Sequence, residues 1–501
     1  MNILGLSAGY HDAAASVVDD EGNILFAGHS ERYSRIKNDP TLSEGLLNEA
    51  LQYNPTKVAW YENSLIKHTR QIYSGEKSLF SLPDNPQKTL PPELKILPFK
   101  SYSHHLSHAA AGFQTSPFKS AICVVVDAIG EWDCISFWYA RYDDKGRAKY
   151  KKLQSIKYPH SLGLFYSAWT QAVGLKPNEE EYIMMGMAAY GEKYNWPYIS
   201  DCLEVKGGKN LFDFKTQHNY HTGIPKELLR DDVSNEDVAA SAQQSVEYSL
   251  RCIMNNAHYL GKYYNTVDIV YAGGVALNCV ANRLLDGLNY SHWIMPNPGD
   301  AGSSLGAAAL AYGKKLNWEG PYLGTNISGD YPVSDIIKEL SANKIVGVAN
   351  GRAEFGPRAL GNRSLLADPR GPEIKDKVNE IKRRQKFRPF APVILKSHAN
   401  KYFDLHHIHY QLGDYMQVTA KLKEEYLEEF PAIVHHDGTA RIQLVDDDCK
   451  SGIKDLLYQW EYWTGGCPML LNTSLNIRGE PMVNTREDAD RFEKEYGVKV
   501  C

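Results

Sequence analysis

No run of apolar residues in the chain approaches the roughly 20 needed to cross a bilayer. The first residues, MNILGLSAGYHD, lack the basic start and apolar core of a secretory leader. Neither a membrane partner nor export is expected, and the location expected is cytoplasmic. The eight cysteines (Cys123, Cys134, Cys202, Cys252, Cys279, Cys449, Cys467 and Cys501) form no C-x-x-C pair, which argues against a disulfide scaffold and a cysteine-built zinc site. Positive charge is not in surplus either. A net charge of -5 gives no global field that would draw nucleic acid or anionic membrane, so any such contact must be local. Internal repeats and low-complexity tracts are also missing.

What remains is an ordinary globular composition, with 43% hydrophobic and 23% charged residues. At 501 residues, two to four domains of roughly 100 to 200 residues are expected. Asn2–Leu6, Ala14–Asp19 and Ile24–Ser30 read as a β-meander, the last two joined by the turn residues Asp20 to Asn23. Ser43–Tyr53 has helical spacing, while Lys57–Tyr61 and Ala121–Val126 (AICVVV) read as strands. Asp127 closes the second of these, and a carboxylate at the end of a buried strand faces a cleft in α/β proteins.

Asp237–Tyr264 reads as one long helix and Val267–Tyr271 as a buried strand, with Gly273-Gly274-Val275 turning into a helix through Asn278–Leu285. A second Gly-rich turn, Pro296–Ser304, leads into a small-residue helix, Leu305–Lys314. Trp318–Pro332 (WEGPYLGTNISGDYP) lacks periodicity and reads as a linker, dividing the chain into domains 1–325 and 326–501.

The segment SHHLSHAA, Ser103 to Ala110, places three histidines within five residues. On a helix, His104 and His108 share a face, a spacing that suits one cation and equally a crowded polar face. His105 points elsewhere and stands where a zincin would carry its glutamate. Asp127 and Asp300 would complete a two-histidine, two-carboxylate set suited to divalent iron, manganese or zinc. The turns at Gly273-Gly274 and Gly299–Gly302 place N–H groups at helix starts, which fits phosphate binding or a plain chain reversal.

Farther on, Arg352, Arg358, Arg363 and Arg370 alternate with glycines and small residues, and Arg388, Arg441 and Arg478 follow. Forked donors in loops suggest anion recognition, with a surface ion-pair network as the alternative. Lys149–Lys157 and Ile381–Arg388 are the densest basic runs, and two aromatic groups stand out: Tyr259, Tyr263 and Tyr264, and Tyr458, Trp460, Tyr462 and Trp463.

Ten ordered motifs span nearly the whole chain: GYHDAAASVV, SERYSRIKND, HHLSHAA, SLGLFYSA, MGMAAYG, GGVALN, EFGPRALGNRS, FRPFAPV, DGTARIQ and NTSLNIRGEP. Together they resemble the NodU/CmcH family of O-carbamoyltransferases. The resemblance implies an α/β protein with an actin-like ATPase/ribonuclease H-like N-terminal domain and a YrdC-like α/β C-terminal domain. The latter would make carbamoyladenylate from carbamoyl phosphate and ATP, the ATP carried with magnesium, releasing phosphate and pyrophosphate. The former would carbamoylate an acceptor hydroxyl.

The resemblance also assigns His104, His108, Asp127 and Asp300 to a divalent metal, usually iron, and makes His11 the general base with Asp12 orienting it. Gly273, Gly274 and Asn278 would contact the adenylate. Arg358, Lys382, Arg388, Arg441 and Arg478, with Asn472 and Ser474, would hold carbamoyl phosphate and ATP; Lys386 is the alternative to Lys382. Two departures from the family pattern are Ser30, where a glutamate is usual, and Glu181-Tyr182-Ile183, where Gly-Lys is common.

The acceptor favoured is a hydroxymethylpyrimidine, such as hydroxymethylcytosine in DNA, or a nucleotide. A sugar or natural-product alcohol is the alternative, and a homodimer is compatible with either. Transfer of threonylcarbamoyl to tRNA is a second enzyme reading, and a nucleotide-binding regulator with a decayed transfer site a third.

Overall fold

The computed structural model describes residues 1–192, 197–206, 212–229, 232–285 and 290–501. The chain forms two compact units. The first comprises Met1–Ala27, Pro40–Ala281 and Leu288–Trp318; the second comprises Gly28–Asp39, Asn282–Gly287 and Glu319–Cys501. The SERYSRIKND segment, although near the N-terminus, therefore belongs to the second unit.

The first unit repeats one strand order. Asn2–Ser7 (β1), Ala14–Val18 (β2) and Ile24–His29 (β3) form the expected meander, joined by Pro55–Trp60 (β4) and Phe99–Ser101 (β5). The sheet runs β3-β2-β1-β4-β5, with β1 antiparallel to β2 and parallel to β4. In the second sheet Ser120–Gly130 (β6), Asp133–Tyr142 (β7) and Ala148–Lys157 (β8) take the places of β1, β2 and β3. A small hairpin, Leu203–Lys206 (β9) and Asp213–Thr216 (β10), precedes Asp268–Ala272 (β11) and Ser291–Trp293 (β12). The order is β12-β11-β6-β7-β8, with β6 antiparallel to β7 and parallel to β11. A 3-2-1-4-5 order of this polarity is the ribonuclease H-like pattern, and its doubling is the actin-like arrangement.

Three helices fasten these sheets. His104–Thr115 (α1) packs on β6 and β11, Asn235–Tyr263 (α2) packs on β6, and Ser303–Tyr312 (α3) packs on β1, β2 and β4. Helices α1 and α3 also pack on each other, so both are buried on nearly every side and neither shows a clean polar face. Their small residues make the close crossing feasible: a Cβ at Gly306 would stand 1.8 Å from the Ser107 carbonyl oxygen.

The helix expected after Gly273-Gly274 is instead three short pieces, with 3₁₀ turns at Gly274–Leu277 and Arg283–Leu285 around Cys279–Asn282. Asn278 interrupts it by adopting a non-helical backbone, φ -77° and ψ 84°.

In the second unit the stretch read as a linker holds a strand. Tyr322–Ile327 (β13) pairs antiparallel with Gly351–Glu354 (β15) and buries Leu323 and Ile327. The glycines and prolines of the stretch bracket this strand. The main sheet is built from Ile345–Ala349 (β14), Arg363–Ala367 (β16), Ala391–Leu395 (β17), Gln443–Val445 (β21) and Met469–Ser474 (β22), ordered β14-β16-β22-β17-β21. Strands β14, β16 and β17 are buried at every position, as strands covered on both faces must be. Phe403–Asp404 (β18), Thr419–Leu422 (β19) and Thr439–Arg441 (β20) form a smaller sheet. Among the described residues no helix is long and apolar enough to cross a membrane.

Candidate metal and transfer site

Helix α1 begins at His104, which points two imidazoles into the interior one turn apart. Strand β6 brings Asp127 to them at the place where its ladder with β7 shifts register, between Val126 and Gly130. Asp300 arrives from the turn before α3. The four residues are buried, and their ligand atoms all lie within 4.8 Å of one another.

The separations have the shape of a coordination site. His104 Nε2 is 3.1 Å from His108 Nε2 and from Asp127 Oδ2, and 3.2 Å from Asp300 Oδ1. His108 Nε2 is 3.2 Å from both aspartate oxygens. Five of the six separations are thus nearly equal, and a mixed nitrogen and oxygen set gathered this closely suits a divalent cation.

The charges agree with this geometry. Burial disfavours carboxylate charge, yet the imidazoles hold both aspartates below the usual range. Burial likewise opposes protonation of His104 and His108, yet the aspartates raise both pKa values. The carboxylates demand positive charge between them, and a divalent cation supplies it without placing two imidazole protons face to face. These residues fit such a metal.

Surrounding groups set the ligands in place. Asp127 Oδ1 accepts from the Ala128 N–H at 2.9 Å and the Gly274 N–H at 3.2 Å. Glu131, which the sequence reading passed over, accepts from the His104 N–H at 3.2 Å and the Asn63 N–H at 2.6 Å. His105 stays outside the set. Its Nδ1 meets Ser136 Oγ at 2.7 Å, and burial, then the neighbouring His104, keeps it neutral.

His11 follows β1, and its Nε2 lies 4.0 Å from Asp300 Oδ2. Its Nδ1 meets Asp12 Oδ2 at 3.1 Å, which fixes the ring with Nε2 towards the cluster. Burial lowers its pKa, but the hydrogen bond to Asp12 and the charges of Asp300, Asp12 and Asp127 raise it to about 9. A dication held by the aspartates would cancel much of that pull. Gly273 passes close to β6 with φ +94°, and its N–H bonds the Pro298 carbonyl at 2.9 Å. Asn278 is buried and exchanges two hydrogen bonds with Gln243, at 2.9 and 3.1 Å.

In the second unit three of the arginines are tied to groups of the chain itself. Arg363 is fully buried and donates to the carbonyls of Asn350, Gly351, Asn362, Thr325 and Asn484. Arg352 donates to the Leu323 and Gly324 carbonyls, and Arg370 to Asp368. These three brace the fold, which corrects the reading of the whole series as anion ligands. Arg358, Arg388 and Arg441 are half-buried and Arg478 is exposed.

Strand β22 links two of these regions. Asn472 donates to the Ala359 carbonyl, beside Arg358, and to Gln443, two residues beyond Arg441. Asn472 Oδ1 and Arg441 Nε are buried without a hydrogen-bond partner. Lys382 is buried, and its ammonium donates to the carbonyl and hydroxyl oxygens of Ser474 and to the backbone and side-chain oxygens of Asn476; Lys386 is exposed. The Arg478 N–H bonds the Lys382 carbonyl at 2.9 Å.

Tyr264 from the first aromatic group stacks on Tyr139 at 4.4 Å, with Lys151 over its face at 5.5 Å. In the second group Trp460 is buried beneath Arg370, while Tyr462 and Trp463 are exposed.

Two family models match the chain: "Carbamoyltransferase N-terminus" over residues 92–309 and "Carbamoyltransferase C-terminus" over residues 337–500. An uncharacterized protein of Synechocystis sp. is 33% identical, covering 98% of this chain and 94% of its own length. Nodulation protein NolO of Bradyrhizobium diazoefficiens is 31% identical over 77% of this chain and 75% of its own length. Nodulation protein NolNO of Sinorhizobium fredii is 28% identical over 96% of this chain and 76% of its own length.

Proposed function

The chain belongs to the carbamoyltransferase family, and from that premise we propose that it is an ATP-dependent O-carbamoyltransferase working in two steps. The second unit, read as YrdC-like, uses water to cleave phosphate from carbamoyl phosphate, and the carbamate left behind attacks the α-phosphorus of ATP, forming carbamoyladenylate and releasing pyrophosphate. The first unit passes the carbamoyl group to an acceptor hydroxyl and releases AMP. The observation that carries this reading is the His104, His108, Asp127 and Asp300 cluster with His11 Nε2 4.0 Å from Asp300.

In the first step Arg358, Arg388, Arg441 and Arg478 present forked donors to phosphate oxygens, and Asn472 and Ser474 add polar contacts. Lys382 serves by holding Ser474 and Asn476, which leaves Lys386 as the lysine that reaches phosphate. ATP arrives with magnesium. In the second step Gly273, Gly274 and Asn278 border the adenylate.

His104, His108, Asp127 and Asp300 would hold a divalent iron, manganese or zinc ion, which would supply Lewis acidity towards a carbamoyl or phosphate oxygen. His11 Nε2 takes the proton of the acceptor hydroxyl. The acceptor oxygen bonds the carbamoyl carbon, and the bond from that carbon to the AMP oxygen breaks. Asp12 holds Nδ1 and steadies the resulting imidazolium.

For the acceptor, β8 supports a hydroxymethylpyrimidine in DNA. It carries Lys149, Lys151, Lys152 and Lys157, with Lys151 5.5 Å over Tyr264 of the Tyr139–Tyr264 stack and Lys152 over Trp138, and cations with aromatic faces bind nucleic-acid strands. A sugar or natural-product alcohol is favoured by another observation. Tyr73, two-thirds exposed, stands 5.3 Å from Trp132, which follows the Glu131 that holds the start of α1.

The test is incubation with carbamoyl phosphate, ATP and a panel of hydroxymethylcytosine DNA, nucleotides and amino-sugar alcohols, read as a carbamoyl mass increment. Pyrophosphate release that needs carbamoyl phosphate but no threonine supports the reading. A requirement for threonine would indicate threonylcarbamoyl transfer, and ATP binding without turnover a regulator. DNA binding that weakens steeply with salt would favour the DNA acceptor.

A further inference from the structure

Glu354 closes β15 and is 1% exposed. Its Oε1 accepts from the N–H groups of Leu360 at 2.7 Å, Asn362 at 2.9 Å and Arg363 at 3.3 Å. The loop between Glu354 and Arg363 is therefore wrapped around a single carboxylate oxygen. Amides converging in this way form the kind of concavity that binds phosphate, but here the anion comes from the chain itself. Those amides are closed to a substrate, so recognition by this loop falls to the side chain it displays, Arg358.

A second residue holds the near end of the loop. Arg32, 4% exposed, donates from Nη2 to the Gly356 carbonyl at 2.9 Å. Burial disfavours its charge, and Glu354 is the strongest of the groups that restore it. The other oxygen of Glu354, Oε2, is buried without a hydrogen-bond partner. Arg32 belongs to SERYSRIKND, a motif to which the proposed chemistry gives no role.

The same short segment reaches the other cationic loop. Arg35 donates to the carbonyls of Met482 at 2.7 Å and Pro481 at 2.8 Å, and its Nη1 is 3.6 Å from Asp488. One stretch of chain thus fastens the loop carrying Arg358 and the chain just beyond Arg478.

We propose that Glu354 and Arg32 are positioning residues that set Arg358 for carbamoyl phosphate, neither of them touching the substrate. The inference rests on the reading of Arg358 as a substrate ligand. Loss of the Glu354 charge would loosen three amides at once and let Arg358 wander from its substrate, and a misplacement of about 1 Å can cost on the order of a hundredfold in kcat/KM.

The experiment uses the full chain and follows pyrophosphate release from ATP as carbamoyl phosphate is titrated. Glu354→Gln keeps the size and one acceptor oxygen but removes the charge. The result expected is a KM for carbamoyl phosphate raised about tenfold or more, on the misplacement scale above, with kcat changed far less and metal content unaltered. Arg358→Ala alone should raise the same KM, and adding Glu354→Gln to it should cost little more, because the first change removes what the second misplaces.

Effects that multiply in the double variant would overturn the positioning role while leaving Arg358 as a ligand. A silent Arg358→Ala would overturn the reading of Arg358 itself, and this inference with it. Should Glu354→Gln fail to fold, Arg32→Lys carries the same cycle: it keeps the charge but cannot reproduce the buried fork. A wild-type KM in Arg32→Lys would count against the proposal.

Discussion

His104 Nε2 and His108 Nε2 face each other across 3.1 Å, on one helix, and each also meets aspartate oxygens at 3.1 to 3.2 Å, so a single proton on either nitrogen cannot serve all of its neighbours. Such a contact costs little when a cation lies between the rings and much when nothing does. The sequence spacing that allowed a metal site becomes, in the fold, a buried cluster that could hold one.

About one divalent ion per chain is therefore expected in the purified protein by elemental analysis. His108→Ala or Asp300→Asn should weaken its retention by at least about 10- to 100-fold, the scale reached when even an outer partner of a ligand is lost. Acceptor carbamoylation should disappear with it while carbamoyl-phosphate-dependent pyrophosphate release persists.

His11→Ala should retain the metal and lower acceptor carbamoylation by about 10²- to 10⁴-fold, the range for a lost general base. Pyrophosphate release should be unchanged. Full transfer activity in this variant would remove His11 from the mechanism.

At Gly273 the backbone has φ +94°, and a Cβ would stand 2.2 Å from the Val126 carbonyl oxygen. Gly273→Ala combines an unfavourable conformation with a clash against the strand that carries Asp127. A loss of about 2 kcal/mol or more is expected in thermal or denaturant unfolding.

Arg363→Lys should cost about 3 kcal/mol, since one ammonium cannot serve five carbonyls and several would be left buried and unpaired. Lys386→Ala, on the surface, should change stability by no more than about 0.5 kcal/mol. Equal melting temperatures for the two variants would contradict the bracing role of Arg363.

His258 is buried against Tyr290 at a ring separation of 3.8 Å, and burial, then His292 and Lys262, lower its pKa from 6.5 to about 4. Between those values the unfolded chain binds the proton more readily than the folded one, so stability falls as pH falls from about 6.5 to about 4. In His258→Phe this part of the acid loss should vanish, giving a flatter dependence of the unfolding midpoint on pH over that window.

That His104, His108, Asp127 and Asp300 would come together could be read in the sequence because each lies in a locally recognisable place: two one turn apart on a helix, one after a run of buried β-formers, one in a Gly-rich turn. The roles of the arginines could not. Arg352, Arg363 and Arg370 share the loop composition of Arg358, but their partners are carbonyls and a carboxylate chosen by packing, some from as far away as Asn484. Lys382 was obscured in the same way, since its partners lie about ninety residues on, at Ser474 and Asn476. Strand β13 was hidden by its glycines and prolines, which signal turns whether or not a strand lies between them. Glu131 gave no sequence signal because it acts on a backbone N–H.

The doubled strand order has one more consequence. β1 and β6 hold the same station in their sheets; the chain leaving β1 supplies His11, while β6 itself carries Asp127. Matching addresses in two copies of one plan have thus been proposed for different trades, proton carrier and cation holder. A shift of one half against the other would therefore act as a gear, changing the reach of the base towards the ligand cluster without altering a single ligand.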